Sequence, residues 1–204
     1  GQRPQGGGGA GARGGGGGGG GGGGFRGGGG GFGGFGARGQ GRLQLSVYHT
    51  WHLRDDILIR PGVPELDLLH GSAVGGTGGQ PQHEIQVQSG FFKNGFGGWL
   101  SANWQSGTTV RGGPIPGGGT ASDLNFSPLG TIGLRLFADL GAQRDLVRKH
   151  PFFRATRVTV GIDNLFDTRL RVRDQNGLTP ISYQPAFLDP LGRSVRLTFR
   201  KLFF

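Results

Sequence analysis

The sequence lacks two residue types altogether and has no long apolar run. None of its 204 residues is cysteine or methionine. Disulfides, thiolate metal sites and cysteine nucleophiles are therefore excluded. No stretch reaches the ~18 to 20 consecutive apolar residues that a membrane-spanning helix needs. The N-terminus also lacks the basic, then apolar, then small-residue order of a signal peptide.

Glycine is abundant but unevenly distributed. Positions 1–41 hold 27 of the 49 glycines, together with Arg3, Arg13, Arg26 and Arg38 and no acidic residue. Such a low-complexity tract has few side chains to offset the entropy of ordering, so we expect it to be disordered. Residues 42–204 are then the part of the chain that can bury surface.

From Arg42 onward, apolar and polar residues alternate with a period of two, which is typical of β-strands. In the first segment Leu43, Leu45 and Val47 point one way, while Gln44 and Ser46 point the other. The pattern predicts an all-β fold, an antiparallel up-and-down meander of about six strands. The predicted strands are Arg42–Arg54, Glu84–Phe91, Phe96–Gln105, Leu124–Leu140, Arg157–Asp163 and Ser194–Arg200.

The connections alternate between short and long. Lys93-Asn94-Gly95 predicts a tight hairpin turn, and Gly141–Pro151 is a moderate polar link. The other three connections, Pro61–Gln82, Gly107–Asp123 and Arg173–Pro190, are long and polar. Short turns at one end and long loops at the other are typical of outer-membrane β-barrels.

The predicted strands favour a partial transmembrane β-barrel over a soluble sheet. Several exceed the ~5 to 6 residues usual in soluble proteins and reach the ~9 to 11 needed to cross a bilayer obliquely. In a barrel the apolar face meets lipid and the polar face lines the lumen. Aromatic residues near the segment ends are predicted to form interfacial girdles. They are Trp51, Trp99, Trp104, Phe91, Phe126, Phe166 and the terminal phenylalanines.

The C-terminal part resembles TonB-dependent outer-membrane receptors. Asn164-Leu165-Phe166-Asp167 is similar to the N-L-F-D element of their late strands, and Tyr183, Pro185, Gly192 and Arg193 resemble the Y-x-P and G-R element before the closing strand. The terminal Phe203 or Phe204 resembles the aromatic signal that the barrel-assembly machinery reads. The resemblance covers 42–204 and is most specific from Arg157 onward.

The resemblance implies a 22-stranded barrel with an N-terminal plug and a TonB box. Such receptors take up siderophores, cobalamin or oligosaccharides, powered by TonB, ExbB and ExbD. Six strands, no plug and no methionine lead us to expect the C-terminal portion of such a receptor, not competent alone. The implied partners are outer-membrane lipid, the rest of the barrel and plug, and the barrel-assembly machinery. TonB, ExbB and ExbD would act through the N-terminal part, and the implied location is the bacterial outer membrane.

No residue pattern indicates catalysis, so we expect neither an enzyme nor a cofactor. His49 and His52 are three apart on a strand and face opposite sides, which argues against a metal site with Asp55 and Asp56. Asp163 and Asp167 would lie ~13 Å apart along an extended strand, too far for a glycosidase pair.

The charged residues of the polar face have two interpretations. They form a solvated inner wall whose charges pair across strands, which we favour, or a ladder that guides an anionic ligand. They are Arg54, Arg135, Arg157, Arg196, Arg200, Glu84, Asp139 and Asp163.

Two other functions stay open on sequence grounds. Arg13-Gly14-Gly15 and Arg26-Gly27-Gly28, with a net charge of +10, resemble Gly/Arg-rich segments that bind single-stranded nucleic acid. No recognition module follows, so we expect no nucleic-acid partner. A soluble β-sandwich binding module is the third interpretation, because alternation alone does not separate it from a barrel.

Overall fold

Each of six strands pairs with the next along the chain to form one antiparallel sheet. The structure, a computed structural model, describes residues 41–203; the predictions for residues 1–40 and Phe204 lie outside them. The predicted antiparallel meander is confirmed. Its strands are β1 (Arg42–Trp51), β2 (His83–Lys93), β3 (Phe96–Gln105), β4 (Leu129–Asp139), β5 (Thr156–Asp163) and β6 (Ser194–Lys201).

The remaining elements lie in the connections. Among residues 41–203, no helix has both the length and the apolar character needed to cross a membrane. The short strands are Asp56–Ile57, Leu66–Asp67, Thr108–Val110, Leu124–Phe126 and Val172–Arg173. The helices are α1 (Arg144–Lys149) and α2 (Pro185–Leu188), with 3₁₀ turns at Leu140–Ala142, Pro151–Phe153 and Ile181–Tyr183.

The fourth predicted strand was wrong at both ends. Leu124–Phe126 leaves the main sheet and pairs with Thr108–Val110 and Val172–Arg173 in a separate three-stranded sheet. Proline has no backbone N–H to give to a sheet, so Pro128 separates the two strands. At the other end, Leu140 begins a 3₁₀ turn.

The short connections meet at one end of the sheet. Asn94 and Gly95 both have positive φ, 51° and 83°, so the predicted two-residue hairpin turn is confirmed. The Asp139 N–H donates to the Gly95 carbonyl at 2.7 Å, and the Gln143 amide donates to the Asn94 carbonyl at 2.7 Å. These bonds fasten the hairpin to the link that contains α1.

The three long connections pack together at the opposite end. The Arg111 N–H donates to the Gly71 carbonyl at 2.8 Å, which ties the first loop to the second. The three-stranded sheet ties the second loop to the third. Phe126 and Val172, with 5% and 0% of their surface exposed, form the centre of this loop cluster.

The main sheet keeps its apolar face exposed. Pairing aligns apolar side chains in rows across the strands, such as Leu136, Val160 and Leu197. Leu43 and Leu197 are 77% and 72% exposed. Within residues 41–203 the outer edges of β1 and β6 have no partner strand, so the sheet is open and does not close into a barrel.

Candidate functional site

The Asn164–Asp167 segment forms a tight turn at the end of β5. Asn164 and Asp167 have positive φ, 52° and 53°, a conformation that Asn and Asp tolerate better than most residues. The Asn164 side chain accepts from the Thr168 N–H at 2.9 Å and donates to the Thr168 carbonyl at 2.8 Å. The Leu165 N–H donates to the Ile132 carbonyl at 2.7 Å, which anchors the turn to β4.

The structure brings this turn together with the Gly192-Arg193 pair. Asp167 Oδ1 accepts from the Arg193 N–H at 2.9 Å, and Arg169 lies 3.6 Å from the same carboxylate. Gly192 has φ 56°, and a Cβ placed there would collide with Asp167 Oδ1. The two motifs recognised in the sequence therefore form one junction at the entry to β6.

Tyr183 and Pro185 organise the loop between the two motifs. The Tyr183 ring packs edge-on against Phe126, with centroids 5.7 Å apart, and so joins the loop cluster. Pro185 begins α2, where its missing N–H costs no hydrogen bond. The Asp189 N–H donates to the Pro185 carbonyl at 3.0 Å, and Asp189 Oδ1 accepts from the Gly192 N–H at 3.0 Å.

Phe166 reaches over the apolar face, whereas two other predicted girdle residues do not lie there. Its ring borders a shallow apolar depression whose floor includes Ile85, Trp104 and Ile132. Trp99 lies on the polar face, because it pairs with Gly90 and Arg135 in register. Phe126 is buried in the loop cluster. The girdle prediction was therefore wrong for Trp99 and Phe126.

The end of the chain is fastened by a lysine. Lys201 lies in the row of apolar residues on β6, but its ammonium donates to the carbonyls of Phe152 and Arg154, the latter at 3.2 Å. It also lies 4.6 Å from the Phe152 ring centroid and 5.3 Å from that of Phe203. Phe203 is 83% exposed. The ammonium therefore interrupts the apolar row, but two backbone carbonyls accept hydrogen bonds from it.

One pair of opposite charges on the polar face, Arg157 and Asp139, meets across neighbouring strands, as the first interpretation predicts. Arg157 lies 3.2 Å from the Asp139 carboxylate on β4. Asp163 accepts from the Ser194 hydroxyl at 3.4 Å, and Glu84 lies 3.6 Å from His52. No carboxylate among residues 41–203 forms an ion pair with Arg135, Arg196 or Arg200.

Arg54 was placed wrongly on the polar wall. It follows the end of β1 and forms ion pairs in the first long loop with Asp56 and, at 3.5 Å, Glu65. These carboxylates raise the pKa of the Arg54 guanidinium, chiefly through the hydrogen bond to Asp56. Arg54 therefore pairs within the first long loop and does not line the polar face.

The polar face also carries an aromatic cluster that sequence reasoning missed. Phe137 stacks on Trp99 and Phe92, with centroids 4.9 Å and 6.0 Å apart, and the Arg157 guanidinium lies 5.1 Å from its ring centroid. Phe137 is only 8% exposed. The sequence signal was that each of these three aromatics lies an even number of residues from the polar-face residues of its own strand, near Gly90 and Gly97.

The histidines and carboxylates that the sequence analysis set aside as metal or catalytic sets have other partners. His49 Nε2 lies 3.3 Å from His83 Nδ1, while His52 is paired with Gln80 and Glu84. Among residues 41–203 there is no group of three or more metal-ligating side chains. Asp167 lies beyond the end of β5 in a turn, so the extended-strand spacing predicted for it and Asp163 was wrong.

No protein-family model matches the chain, and neither a search of curated proteins nor one of solved structures found a match. Residues 41–203 form one exposed apolar face, one polar face with arginines and aromatics, and loops gathered at one end.

Proposed function

We propose that the chain is the C-terminal wall segment of a TonB-dependent outer-membrane receptor. Such a receptor would take up a siderophore-, cobalamin- or carbohydrate-like ligand. In this proposal the apolar face meets lipid and the polar face lines the lumen. The long loops lie outside the cell, and the short turns face the periplasm. The rest of the barrel and the plug are required partners, so the segment does not transport alone.

The exposed apolar face is the observation that carries this proposal. Soluble monomers rarely expose continuous apolar patches larger than a few hundred Å². Here the rows of apolar side chains extend across all six strands. A soluble sandwich would bury such a face beneath a second sheet. Lipid is the medium in which an uncovered face of this kind is stable.

Strand length supports the same proposal. β1 and β3 each contain 10 residues. At about 3.3 Å per residue, and with the tilt usual in barrels, they cover about 25 Å, the height of the apolar band in such proteins.

The open edges require further strands. Single-chain outer-membrane barrels have at least about eight strands, and unpaired edges are not stable in lipid. Both outer edges of the six-stranded sheet lack partners within residues 41–203. We assign the completing strands to the rest of the receptor.

A pair of adjacent cysteines tests which face meets lipid. The chain has no native cysteine, and Leu197 and Thr198 lie on opposite faces of β6. Leu197→Cys and Thr198→Cys should each be labelled with a fluorophore, and the full chain folded in detergent micelles doped with lipids whose acyl chains are brominated. We expect strong quenching at position 197 and little at 198. Equal quenching at both positions, or a water-soluble monomer with both labels exposed, would contradict the proposal.

A further inference from the structure

Two arginines of the polar face flank a residue that has no side chain. Arg135 on β4 and Arg196 on β6 are both in register with Gly161 on β5, which lies between them. Both arginines are exposed and neither forms an ion pair within residues 41–203. A Cβ built on Gly161 would have only the Arg196 carbonyl oxygen near it, at 4.0 Å. The space above Gly161 is therefore open.

The distance between the backbones of Arg135 and Arg196 allows both guanidinium groups to contact one ligand. Neighbouring strands lie ~4.8 Å apart, so the backbones at positions 135 and 196 are separated by about 10 Å. Residues in register on one face project in the same direction. Arginine side chains are long enough to lean inward from both sides above the glycine. A guanidinium group offers two parallel N–H donors, which match the oxygens of a carboxylate or phosphate.

The neighbouring charges leave a positive excess at this point. Asp163, which accepts from Ser194, lies two residues along β5 from Gly161 and is the nearest carboxylate in the strand pattern. Arg157, on the other side, is already paired with Asp139. Two arginines thus face one carboxylate across three strands.

We propose that Arg135 and Arg196 bind an oxyanion, the phosphate or carboxylate group of a soluble ligand, in the space above Gly161. This site concerns the polar face alone and does not depend on contact between the apolar face and lipid. It assigns the anion-guiding role to Arg135 and Arg196. Arg54 and Arg157 are held by carboxylates, and Arg200 is in register with Arg157 and not with Gly161.

Calorimetric titration tests the site directly. The full chain, in whichever detergent or buffer preserves its strand signal in circular dichroism, is titrated with inorganic phosphate and separately with citrate. We expect saturable binding of at least one probe, weakened by added salt. Arg135→Gln and Arg196→Gln should each weaken it about tenfold, because one charge-assisted contact is lost.

Three further variants separate a built site from diffuse attraction. Gly161→Val keeps both charges and suits a strand, but fills the space, so binding should fall about tenfold. Asp163→Asn should strengthen binding, because it removes the nearest opposing charge. Arg42→Gln, on the same face at the far edge, should leave binding unchanged. Absence of binding by both probes, an unaffected Gly161→Val variant, or an equal loss in Arg42→Gln would overturn the proposal.

Discussion

At the scale of single residues, the Asp167 carboxylate contacts three residues that lie near the entry to β6. It accepts the Arg193 N–H, pairs with Arg169, and occupies the space that a side chain at position 192 would need. It thereby joins the end of β5 to the start of β6, although the Asp167 and Arg193 positions lie 26 residues apart. Glycine at position 192 leaves that carboxylate in place, whereas a side chain there would displace it.

Replacing Gly192 with alanine should destabilise the protein through two effects. The residue has φ 56°, where a Cβ costs about 1 kcal/mol. The new Cβ would also displace the Asp167 carboxylate, so we expect a total loss of about 2 kcal/mol in the free energy of unfolding. Urea unfolding followed by tryptophan fluorescence measures this loss. Gly177→Ala is the matched control, because Gly177 has φ 76° and a Cβ added there would meet no atom within 4 Å. Equal losses in the two variants would show that the carboxylate contact contributes nothing.

Asp67 in the first long loop should make stability depend on pH. Desolvation raises the pKa of this carboxyl. The hydrogen bond and charge of His70, together with the N–H groups of His70 and Leu69, lower it by more than that, so its pKa lies below the usual value. A depressed pKa stabilises the fold above about pH 4, and that contribution is lost as the pH falls through the lower folded value.

The free energy of unfolding, measured from about pH 6 down to about pH 2, should therefore fall at acid pH, and Asp67→Asn should remove the part of this fall that is due to Asp67. His70→Ala keeps the carboxylate but removes its side-chain partner, and should reduce the same part of the fall. An unchanged pH profile in both variants would contradict this role for Asp67.

At the scale of elements, glycines on β2 and β3 make room for the aromatic cluster. A Cβ on Gly97 would collide with the Phe137 ring, and one on Gly90 would lie 3.2 Å from Trp99. Aromatic rings that cover strand glycines restore the packing that glycine lacks and help to fix the pairing register. The cluster therefore stabilises the pairing of β3 with β4.

A side chain at Gly97 should disrupt that pairing. Gly97→Val would force Phe137 away from Trp99, and overpacking of this kind costs about 1 to 3 kcal/mol. We expect lower stability and a changed tryptophan signal in near-UV circular dichroism. Gly161→Ala, on the same face with open space around it, should cost little. If Gly97→Val is as stable as Gly161→Ala, the cluster does not hold the register.

The strands and the hairpin turn could be predicted from sequence because their signals are local. The alternation of apolar and polar residues indicates a strand within a short segment, and Asn94-Gly95 favours a two-residue hairpin turn with positive φ. The three-stranded loop sheet has no such signal, since its pairing joins segments separated by long connections. Leu124–Phe126 kept the alternation of the strand that follows it. Pro128 is the local signal that separates the two, but only tertiary pairing places Leu124–Phe126 in the loop sheet.

At the scale of the whole molecule, periodicity predicted two faces but not the contacts made on each. The motif residues Asn164, Asp167, Gly192 and Arg193 were recognisable, yet their meeting depends on how the third long loop folds back. The pairing of Arg157 with Asp139, and the lack of an ion pair at Arg135 within residues 41–203, follow from strand register. Register is set by the hairpin turn and the packing of both faces together, which a one-dimensional pattern does not encode.

The outer edges of β1 and β6 have no partner strand within residues 41–203, so a second copy of the chain can pair with either edge. Each edge offers a row of amide and carbonyl groups to any extended chain that arrives. Backbone hydrogen bonding at these edges does not distinguish a strand of the rest of the receptor from a strand of a second copy. Edge-to-edge self-association should therefore compete with correct assembly, and should predominate as protein concentration rises.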